Sequence, residues 1–375
     1  MAQVRTDITW QLKGCILLLE LASHNAQVAA VATLAAGGIP ILISVMRSHS
    51  TNAHVLSVCI NVLSRLCQSD ENRMAIVAAD GMSLVFAAMG VDAHGDCCRL
   101  VANGCHFVCN LTVVVTLCQS MVDVGVIPLL VTLMTVHTRI LEIQEHCMAA
   151  LHNFAMHSPA TRAVIREAGG VCAAMVNMKK DPTQRRMHNV GFMLLRLMSC
   201  ELAAKQEMVT EGGIPLLLAA MKTNEQTVKT RITCIAIVNN IAVKNPEYQK
   251  LIIVAGGVDA VLVAMKRYPE NVILQKYRCH FLRQLVAEAT QKEVVTTSGT
   301  IPVLLQTMSE HAGVKGVHQL AFYVLYTLAQ SNPAIDKQLK SDGAVSVFTA
   351  LVAQEGIGDK CRKDASECLA RIADA

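Results

Sequence analysis

The sequence of 375 residues predicts an all-α fold built from one repeated helical unit. Apolar residues make up 53% of the chain and aromatic residues only 3%, a mixture that favours packed helices over sheets. A glycine also recurs every 43 or 44 residues. The series is Gly37, Gly81, Gly125, Gly169, Gly212, Gly256, Gly299 and Gly343. A fixed period of this length is typical of a solenoid, in which each unit buries its apolar face against its neighbours.

A second marker recurs near the end of each unit, with the pattern aliphatic, any residue, polar, aliphatic. We call its polar residue the ladder position. Its members are Glu20, Arg65, Asn110, Asn153, Arg196, Asn240, Gln284, Thr327 and Arg371. The two aliphatic residues are three positions apart and therefore share one helical face, which leaves the ladder residue beside that face.

The order of elements inside a unit is clear in residues 205–247. A short helical segment is followed by the Gly212-Gly213 turn. A second helix then begins near Pro215, because proline is tolerated in the first turn of a helix. The polar stretch "TNEQT" separates it from a long amphipathic third helix, which "KNPE" ends. Other prolines six residues after a ladder position, at 159 and 333, are also expected to stop a third helix.

Proline at the start of the second helix alternates between repeats. The odd repeats have Pro40, Pro128, Pro215 and Pro302. The even repeats have Leu84, Cys172, Asp259 and Ser346. The alternation suggests that the ancestral unit is a pair of repeats.

Three helices in about 42 residues, with a glycine between the first two, resemble the armadillo repeat. The resemblance rests on stretches such as "AAGGIPILISVM" (35–46), "EGGIPLLLAAM" (211–221) and "AALHNFA" (149–155). HEAT repeats have a similar period but usually two helices and no such glycine. The resemblance implies a right-handed superhelix whose third helices line a concave groove. We expect one domain over residues 1–375, in which 1–23 form an N-terminal capping helix. The eight repeats are predicted at 24–70, 71–114, 115–159, 160–204, 205–247, 248–290, 291–333 and 334–375.

The resemblance also implies that the ladder positions face this groove. In family members that hold extended peptides the ladder residue is asparagine, whose amide can pair with both N–H and C=O. Nuclear-import adaptors add a tryptophan four residues earlier, but the single tryptophan here is Trp10, so that pattern is absent. The predicted groove residues are Arg65, His106, Asn110, Asn153, Phe192, Arg196, Asn240, His280, Gln284 and Tyr323. The alternative is that a ladder side chain only bonds to the neighbouring repeat.

Charge is distributed unevenly around a net value of +4. Residues 160–284 hold 18 Lys and Arg against 9 Asp and Glu, whereas both flanking segments are slightly acidic. The densest basic patch is Lys179, Lys180, Arg185 and Arg186. We expect it to favour an acidic partner near repeats 2–6. The alternative is an ordinary solvated helix surface.

No catalytic constellation appears in the sequence, which predicts a protein that is not an enzyme and needs no cofactor. "HGDCCRLVANGCHFVC" (94–109) gathers four cysteines, but sulfurs on one continuous helix cannot surround a tetrahedral metal. Cys97 or Cys98 is the better candidate there, as a reactive thiol near a turn. Most of the fifteen cysteines lie in apolar helical segments, as expected for free thiols in a reducing compartment. The opening "MAQVRTDITW" has no signal-peptide character, and no membrane span is expected.

These observations lead to three hypotheses of function. The first is a cytoplasmic, non-catalytic scaffold that binds a peptide or acidic segment of a partner protein along the groove. The second is a structural subunit of a larger assembly, such as a cytoskeletal or axonemal complex. The third is a cofactor of chaperones or an exchange factor. Neither a nucleic acid nor a small molecule is the expected ligand.

Overall fold

The computed structural model describes residues 13–17, 20, 37–90, 97–223, 227–330 and 332–374. Every regular element in this part of the chain is a helix, so the predicted all-α fold is confirmed. Residues 13–17 and 20 are helical. The rest of the predicted capping segment 1–23, and the first helix of the first repeat, lie outside the described residues.

The helices follow a three-helix order in each repeat. The first helices are Asp70–Ala78, Val115–Asp123, Pro159–Glu167, Leu202–Thr210, Pro246–Val254, Ala289–Thr297 and Pro333–Ser341. The second helices are Gly38–Ser48, Gly81–Met89, Val126–Val136, Gly170–Lys180, Gly213–Lys222, Gly257–Arg267, Thr300–Glu310 and Ala344–Ala353. The third helices are Ala53–Leu66, Cys98–Leu111, Leu141–His157, Arg185–Met198, Val228–Ala242, Val272–Leu285, Lys315–Ala329 and Asp359–Asp374.

In repeats 2 to 8 a residue with positive φ joins the first and second helices, and in repeat 1 such a residue, Gly37, directly precedes the second helix. Seven of the eight are predicted glycines, with φ between 67° and 84°. Two of these turns, at Gly125 and Gly256, bend the chain by 76° and 68°. Glycine suits such turns because a left-handed conformation is strained for residues with a Cβ.

The second repeat departs from the glycine series. Its left-handed residue is Asp80, at φ 63°, while Gly81 is already the first residue of the second helix. A Cβ on Gly81 would lie 2.7 Å from Ile76 Cγ2 and 2.9 Å from Ile76 O, so close packing explains this glycine. The expected turn at Gly81 is therefore one residue out of register. The prolines of the odd repeats lie three residues after the left-handed residue. In the second repeat that position is Ser83, so the assignment of Leu84 as their counterpart was wrong.

The prolines at 159, 246 and 333 are the first residues of first helices. Each of these helices is capped by the side chain before its proline, from Ser158, Asn245 and Asn332. The prolines thus begin the next helix as well as ending the segment before it, because a residue preceding proline avoids the α conformation.

A row of buried polar side chains, which the sequence analysis missed, caps the second helices. Gln144 Nε2 donates to the carbonyls of Met134 and His137, both at 2.9 Å. Other members of the row bond in the same way to the last carbonyls of their own second helices. They are His188, Arg231, Gln275 and His318. Helix ends leave carbonyls without intrahelical partners, and this row satisfies them.

Arg278 is a large charged residue in the core of its repeat, at a position where the other repeats have small residues. The position six residues before the ladder otherwise holds a small residue, as at Cys59, Gly104, Cys147, Cys234, Ala321 and Ala365. Arg278 is only 1% exposed and donates to Ala264 O, but it forms no ion pair within the described residues. Burial, and secondarily the nearby Arg231, lower the pKa of Arg278 to about 9.

The contacts divide the chain into two compact units, Met1–Met198 and Ser199–Ala375, which we call unit 1 and unit 2. Within each unit the third helices pack on one another in chain order. The single domain that the sequence predicts over residues 1–375 stays a prediction. The third-helix layer of each unit carries the ladder side chains discussed below.

Candidate functional site

The ladder amides of unit 1 point toward the preceding repeat. Asn110 Nδ2 donates to Ser64 O at 2.9 Å and to Ser64 Oγ at 3.2 Å. Asn153 Nδ2 donates to Thr112 Oγ1 at 3.0 Å. Both asparagines are half-buried. Both ladder asparagines of unit 1 therefore bond to the preceding repeat, as the alternative to groove binding described.

His106 is similarly engaged by its neighbours. Its ring lies 2.8 Å from Ser64 Oγ through Nδ1 and 3.3 Å from Asn110 Nδ2 through Nε2, and it stacks on His146 at 4.7 Å between centroids. Burial, followed by the charge of Arg65, lowers the pKa of His106. Burial, then His106 and Arg186, lowers the pKa of His146 to about 4.

The fourth repeat corrects two predicted groove residues. Phe192 is 0% exposed, so it fills the core and does not border a groove. The capping residue Gln144 lies nine residues before its ladder residue, Asn153. The capping residue His188 lies nine residues before Leu197. Leu197 is half-buried like the ladder residues of the other seven repeats, whereas Arg196 is exposed. The ladder position is therefore Leu197, and the assignment of Arg196 was wrong by one residue.

The other predicted cations of unit 1 differ in exposure, because Arg65 is half-buried whereas the basic patch is exposed. Arg65 Nε donates to Asn61 Oδ1 at 3.3 Å. The basic patch of Lys179, Lys180, Arg185 and Arg186 is exposed. Arg186 Nε lies 3.5 Å from Glu145 Oε2. Burial raises the pKa of Glu145, although Arg186 acts in the opposite direction.

A depression on unit 2 crosses the third helices of its last three repeats. Its volume is about 810 Å³. The first of these helices contributes Lys276, His280 and Arg283, and the second contributes Gln319, Tyr323 and Tyr326. The wall on the last repeat includes Gly358, Lys360, Cys361 and Asp364.

A second depression, of about 400 Å³, adjoins the first. His280, Arg283 and Tyr323 line both of them. Arg283 Cζ lies 4.9 Å from the centroid of the Tyr323 ring, a cation–π contact, and Tyr323 is 45% exposed. We call the two depressions together the unit 2 groove.

Cations outnumber carboxylates in the walls of the unit 2 groove. The cations are Lys244, Lys276, Arg283 and Lys360, and the carboxylates are Glu288 and Asp364. Within the described residues, none of these six groups forms an ion pair. The groove thus combines unneutralised positive charge with the exposed ring of Tyr323.

The ladder of unit 2 has three kinds of side chain. Asn240 Nδ2 donates to Ser199 Oγ at 2.9 Å, again toward the preceding repeat. Gln284 Nε2 donates to His280 Nδ1 at 3.2 Å and to Asn239 Oδ1 at 3.3 Å. Arg371, at the last ladder position, is held by Asp336 at 3.0 and 3.3 Å, and this bonding raises the pKa of Arg371.

The structure therefore brings together three of the predicted groove residues, His280, Gln284 and Tyr323. The sequence analysis placed the strongest binding near repeats 2–6, and it did not single out Lys276, Arg283 or Tyr326. Lys276 lies four residues before His280 and Arg283 lies three residues after it, so helical spacing from His280 was the signal that could have found them.

No group of three His, Cys, Asp or Glu side chains in the described part of the chain is placed to hold a metal ion. Cys97 and Cys98 are half-buried, and Cys105 Sγ lies 3.4 Å from Cys147 Sγ. No single described helix is both long and apolar enough to cross a membrane. Two helix pairs, each bent at a turn glycine, reach that length and composition only together.

Comparison with known proteins agrees with the helical repeat. Residues 18–184 match the family model described as the GAC ARM domain. A structure reporting a phosphorylation switch in the interaction between cadherin and beta-catenin is similar at 14% identity and a TM-score of 0.80, covering 99% of this chain and 71% of that one. An engineered protein is similar at 20% identity and a TM-score of 0.70, covering 98% and 96%.

A designed armadillo repeat protein is also similar, at 14% identity and a TM-score of 0.55, covering 66% of this chain and 99% of that one. No curated protein sequence matches the chain. The family model, the three-helix repeat and these structures lead to the same assignment. Residues 18–184 thus match an armadillo-repeat family model, and the chain has the fold of armadillo-repeat solenoids.

Proposed function

We propose that this chain is a non-catalytic scaffold whose unit 2 groove binds an extended, acidic segment of a partner protein. The observation that carries the proposal is a set of four cations that line the unit 2 groove with Tyr323 and have no ion-pair partner among the described residues. Armadillo repeats commonly mediate protein–protein interaction and are typically non-catalytic. The beta-catenin neighbour was itself studied for its interaction with cadherin.

The form of the groove favours a segment of chain as the ligand. The larger depression touches three successive third helices, and the smaller one continues it toward the preceding repeat. An extended segment follows such a surface and places carboxylates near Lys276, Arg283 and Lys360. Complementary charge of this kind contributes to specificity and to the rate of association.

A second candidate, a structural subunit of a larger assembly, has one observation in its favour. Val113, Val115 and Met156 of unit 1 are 61%, 65% and 62% exposed. They lie where third helices meet the next first helices, on the edge of the layer. Apolar exposure of this kind favours burial against a partner subunit.

The cysteines support a cytoplasmic location for either function. All fifteen are free thiols, and nine of them are buried. Free buried thiols are typical of proteins in reducing compartments. A reducing cytoplasm is therefore the compartment that we propose.

The experiment is a selection of ligands from a library of displayed twelve-residue peptides, using the whole chain as bait. Selected peptides should be rich in Asp and Glu, and Lys276→Glu with Arg283→Glu should weaken their binding at least tenfold. The matched control is Lys250→Glu with Lys337→Glu, which makes the same charge change on first helices. Equal binding by both double variants, when both remain folded, would refute the groove. If peptide binding is lost only when the charges of Arg185 and Arg186 are reversed, the basic patch is the binding site.

A further inference from the structure

A separate depression, of about 500 Å³, lies on unit 1 where the second helices of repeats 3 and 4 end. Its walls include Gln144 and Asn177, which are only 1% and 3% exposed. Arg139, Lys180 and Asp181 also line it. A volume of this size is within the range of ordinary small-molecule sites.

Hydrogen bonds fix the orientation of both buried amides. Asn177 Nδ2 donates to Ala173 O at 2.9 Å and to Met134 O at 3.2 Å. Gln144 Nε2 donates to the same Met134 O and to His137 O, both at 2.9 Å. Neither amide can be reversed, because its oxygen would then face carbonyl oxygens. The two amide oxygens, Asn177 Oδ1 and Gln144 Oε1, are buried and have no hydrogen-bond partner in the described structure.

Asn177 is unusual for its position, which is eight residues after the left-handed residue of the repeat. The other seven repeats have an apolar residue or threonine there. The corresponding residues are Val45, Ala88, Leu133, Ala220, Ala264, Thr307 and Leu351. A buried acceptor without a partner is destabilising, and an apolar side chain would avoid that cost. Repeat 4 thus keeps an amide that lowers its stability, as binding sites commonly do.

The charged groups of the depression include two cations and one carboxylate. Arg139 and Lys180 are exposed and form no ion pair within the described residues. Hydrogen bonds from Thr183, and then from Gln184, lower the pKa of Asp181, so its carboxylate is ionised at pH 7. Three acceptors, two from amides and one from a carboxylate, are therefore available beside two cations.

The corresponding place in repeats 6 and 7 has only part of this arrangement. Gln275 caps its second helix in the same way, and its Oε1 also has no partner in the described structure. Thr307 replaces the asparagine, and its hydroxyl donates to a carbonyl of its own helix. Glu270 and Glu310 replace the two cations. A single unpartnered amide oxygen therefore accompanies capping, whereas the second amide and the cations distinguish repeats 3 and 4.

We propose that the depression on repeats 3 and 4 binds a phosphorylated polyol, such as a sugar phosphate or an inositol phosphate. Hydroxyls of the ligand donate to the oxygens of Gln144, Asn177 and Asp181. Its phosphate lies between Arg139 and Lys180, since guanidinium and ammonium groups are the usual partners of phosphate. The terminal torsions of the two amides are soft, so a small rotation turns their oxygens toward the ligand.

Other ligands fit the depression less well. A nucleotide would need a surface on which its base stacks, but the lining has no aromatic side chain. An arginine or lysine of a partner protein would be repelled by the two cations, which have no ion-pair partner of their own in the described structure. The sequence alone predicts no small-molecule ligand, and this inference does not depend on the unit 2 groove.

The test is isothermal titration calorimetry of the whole chain with glucose 6-phosphate and with myo-inositol 1-phosphate. At least one of them should bind at least tenfold more tightly than inorganic phosphate or myo-inositol, each of which offers only half of the chemistry. Arg139→Glu with Lys180→Glu should abolish this binding, whereas the control Lys250→Glu with Lys337→Glu should not. Equally tight binding of inorganic phosphate would overturn the inference, because attraction between charges would then explain it.

A second variant, Asn177→Ala, separates a ligand site from a structural cap. Alanine occupies this position in three other repeats, so the variant should fold, and its urea midpoint should stay the same or rise. Its affinity for the sugar or inositol phosphate should fall at least tenfold. Thr307→Ala is the matched change in repeat 7 and should leave the affinity unchanged. An unchanged affinity in folded Asn177→Ala would overturn the inference.

Vesicles separate the two sources of such a ligand. Mixed vesicles of phosphatidylcholine and phosphatidylinositol present inositol phosphate as a lipid headgroup. Sedimentation with these vesicles, lost in Asn177→Ala, would support the site and assign it to the headgroup. Binding of the soluble compounds alone would support the site and assign it to a free metabolite. Binding of neither would refute it, and Lys276→Glu with Arg283→Glu, which tests the proposed function, should change none of these results.

Discussion

The turn of the second repeat gives the sharpest test of the register of the repeats. Structure and sequence disagree there about which residue is left-handed. Asp80 has φ 63°, and Gly81 packs against Ile76 as the first residue of the second helix. Substituting each residue separately, with Gly125→Ala as a reference turn, should therefore give three different changes in the free energy of unfolding.

The magnitudes follow from the distances. A Cβ at residue 81 would meet Ile76 O at 2.9 Å and Ile76 Cγ2 at 2.7 Å. The backbone oxygen cannot move without moving its helix, so Gly81→Ala should cost about 2–3 kcal/mol. Gly125→Ala meets no atom within 4 Å and should cost about 1 kcal/mol of left-handed strain.

Asp80→Gly should instead stabilise the chain by about 0.5 kcal/mol, because it relieves left-handed strain. The gain is partly offset by loss of the Arg47–Asp80 ion pair at 3.4 Å. This pair is exposed and contributes only a few tenths of a kcal/mol.

Urea denaturation followed by circular dichroism measures the three changes, with hydrogen exchange to localise them, because repeat arrays need not unfold in one step. A cost of only about 1 kcal/mol for Gly81→Ala, together with destabilisation by Asp80→Gly, would refute the reasoning. That result would place Gly81 at the left-handed position, as its place in the glycine series first suggested.

Three further predictions concern the core and its pH dependence. His146 has a folded-state pKa of about 4, below its ordinary value of 6.5, so stability is complete above pH 6.5 and falls as the pH drops toward 4. His146→Gln should flatten this slope in acid-denaturation curves, and an unchanged slope would contradict it. Phe192→Ala should cost about 3–5 kcal/mol in urea denaturation, because it empties a fully buried site. A decrease of less than 1 kcal/mol in the free energy of unfolding would indicate that Phe192 lies at the groove surface. Arg278→Met should raise the urea midpoint, because it removes a buried charge that has no ion-pair partner in the described structure. A lowered midpoint would show that the Arg278 bond to Ala264 O outweighs that cost.

Much of the fold was predictable because it depends on local rules. Seven turn glycines are recognisable from their period, since a left-handed turn strongly favours glycine. Helix type and order follow from proline, glycine and the spacing of apolar residues. The turn of the second repeat was predicted one residue too late, because Gly81 is needed for close packing whereas Asp80 has the left-handed conformation.

The groove was less predictable because it depends on how helices are rotated in three dimensions. In repeat 4 the sequence "LLRL" fits the ladder pattern. The third helix there is nevertheless turned by one residue relative to that pattern, because Phe192 is buried in the core and His188 caps the second helix. The amides of Asn110 and Asn153 match the peptide-binding pattern, but Ser64 and Thr112 already occupy them. Such competition between partners cannot be read from spacing alone.

The capping row of Gln144 and its counterparts was missed for a related reason. A polar residue near the start of an amphipathic helix is ordinarily expected at the surface. It is buried here because the open end of the second helix supplies carbonyls that need donors. Searching each repeat for a donor nine residues before the ladder would have revealed the row.

The central claim, that the unit 2 groove is where a partner segment binds, is tested most directly by locating a bound ligand. Hydrogen exchange should be measured on the whole chain with and without a peptide selected from the displayed library. We expect protection to concentrate on the third helices Val272–Leu285 and Lys315–Ala329, and to disappear in Lys276→Glu with Arg283→Glu. Protection confined to the basic patch at residues 179–186, or to the apolar edge of unit 1, would contradict this account.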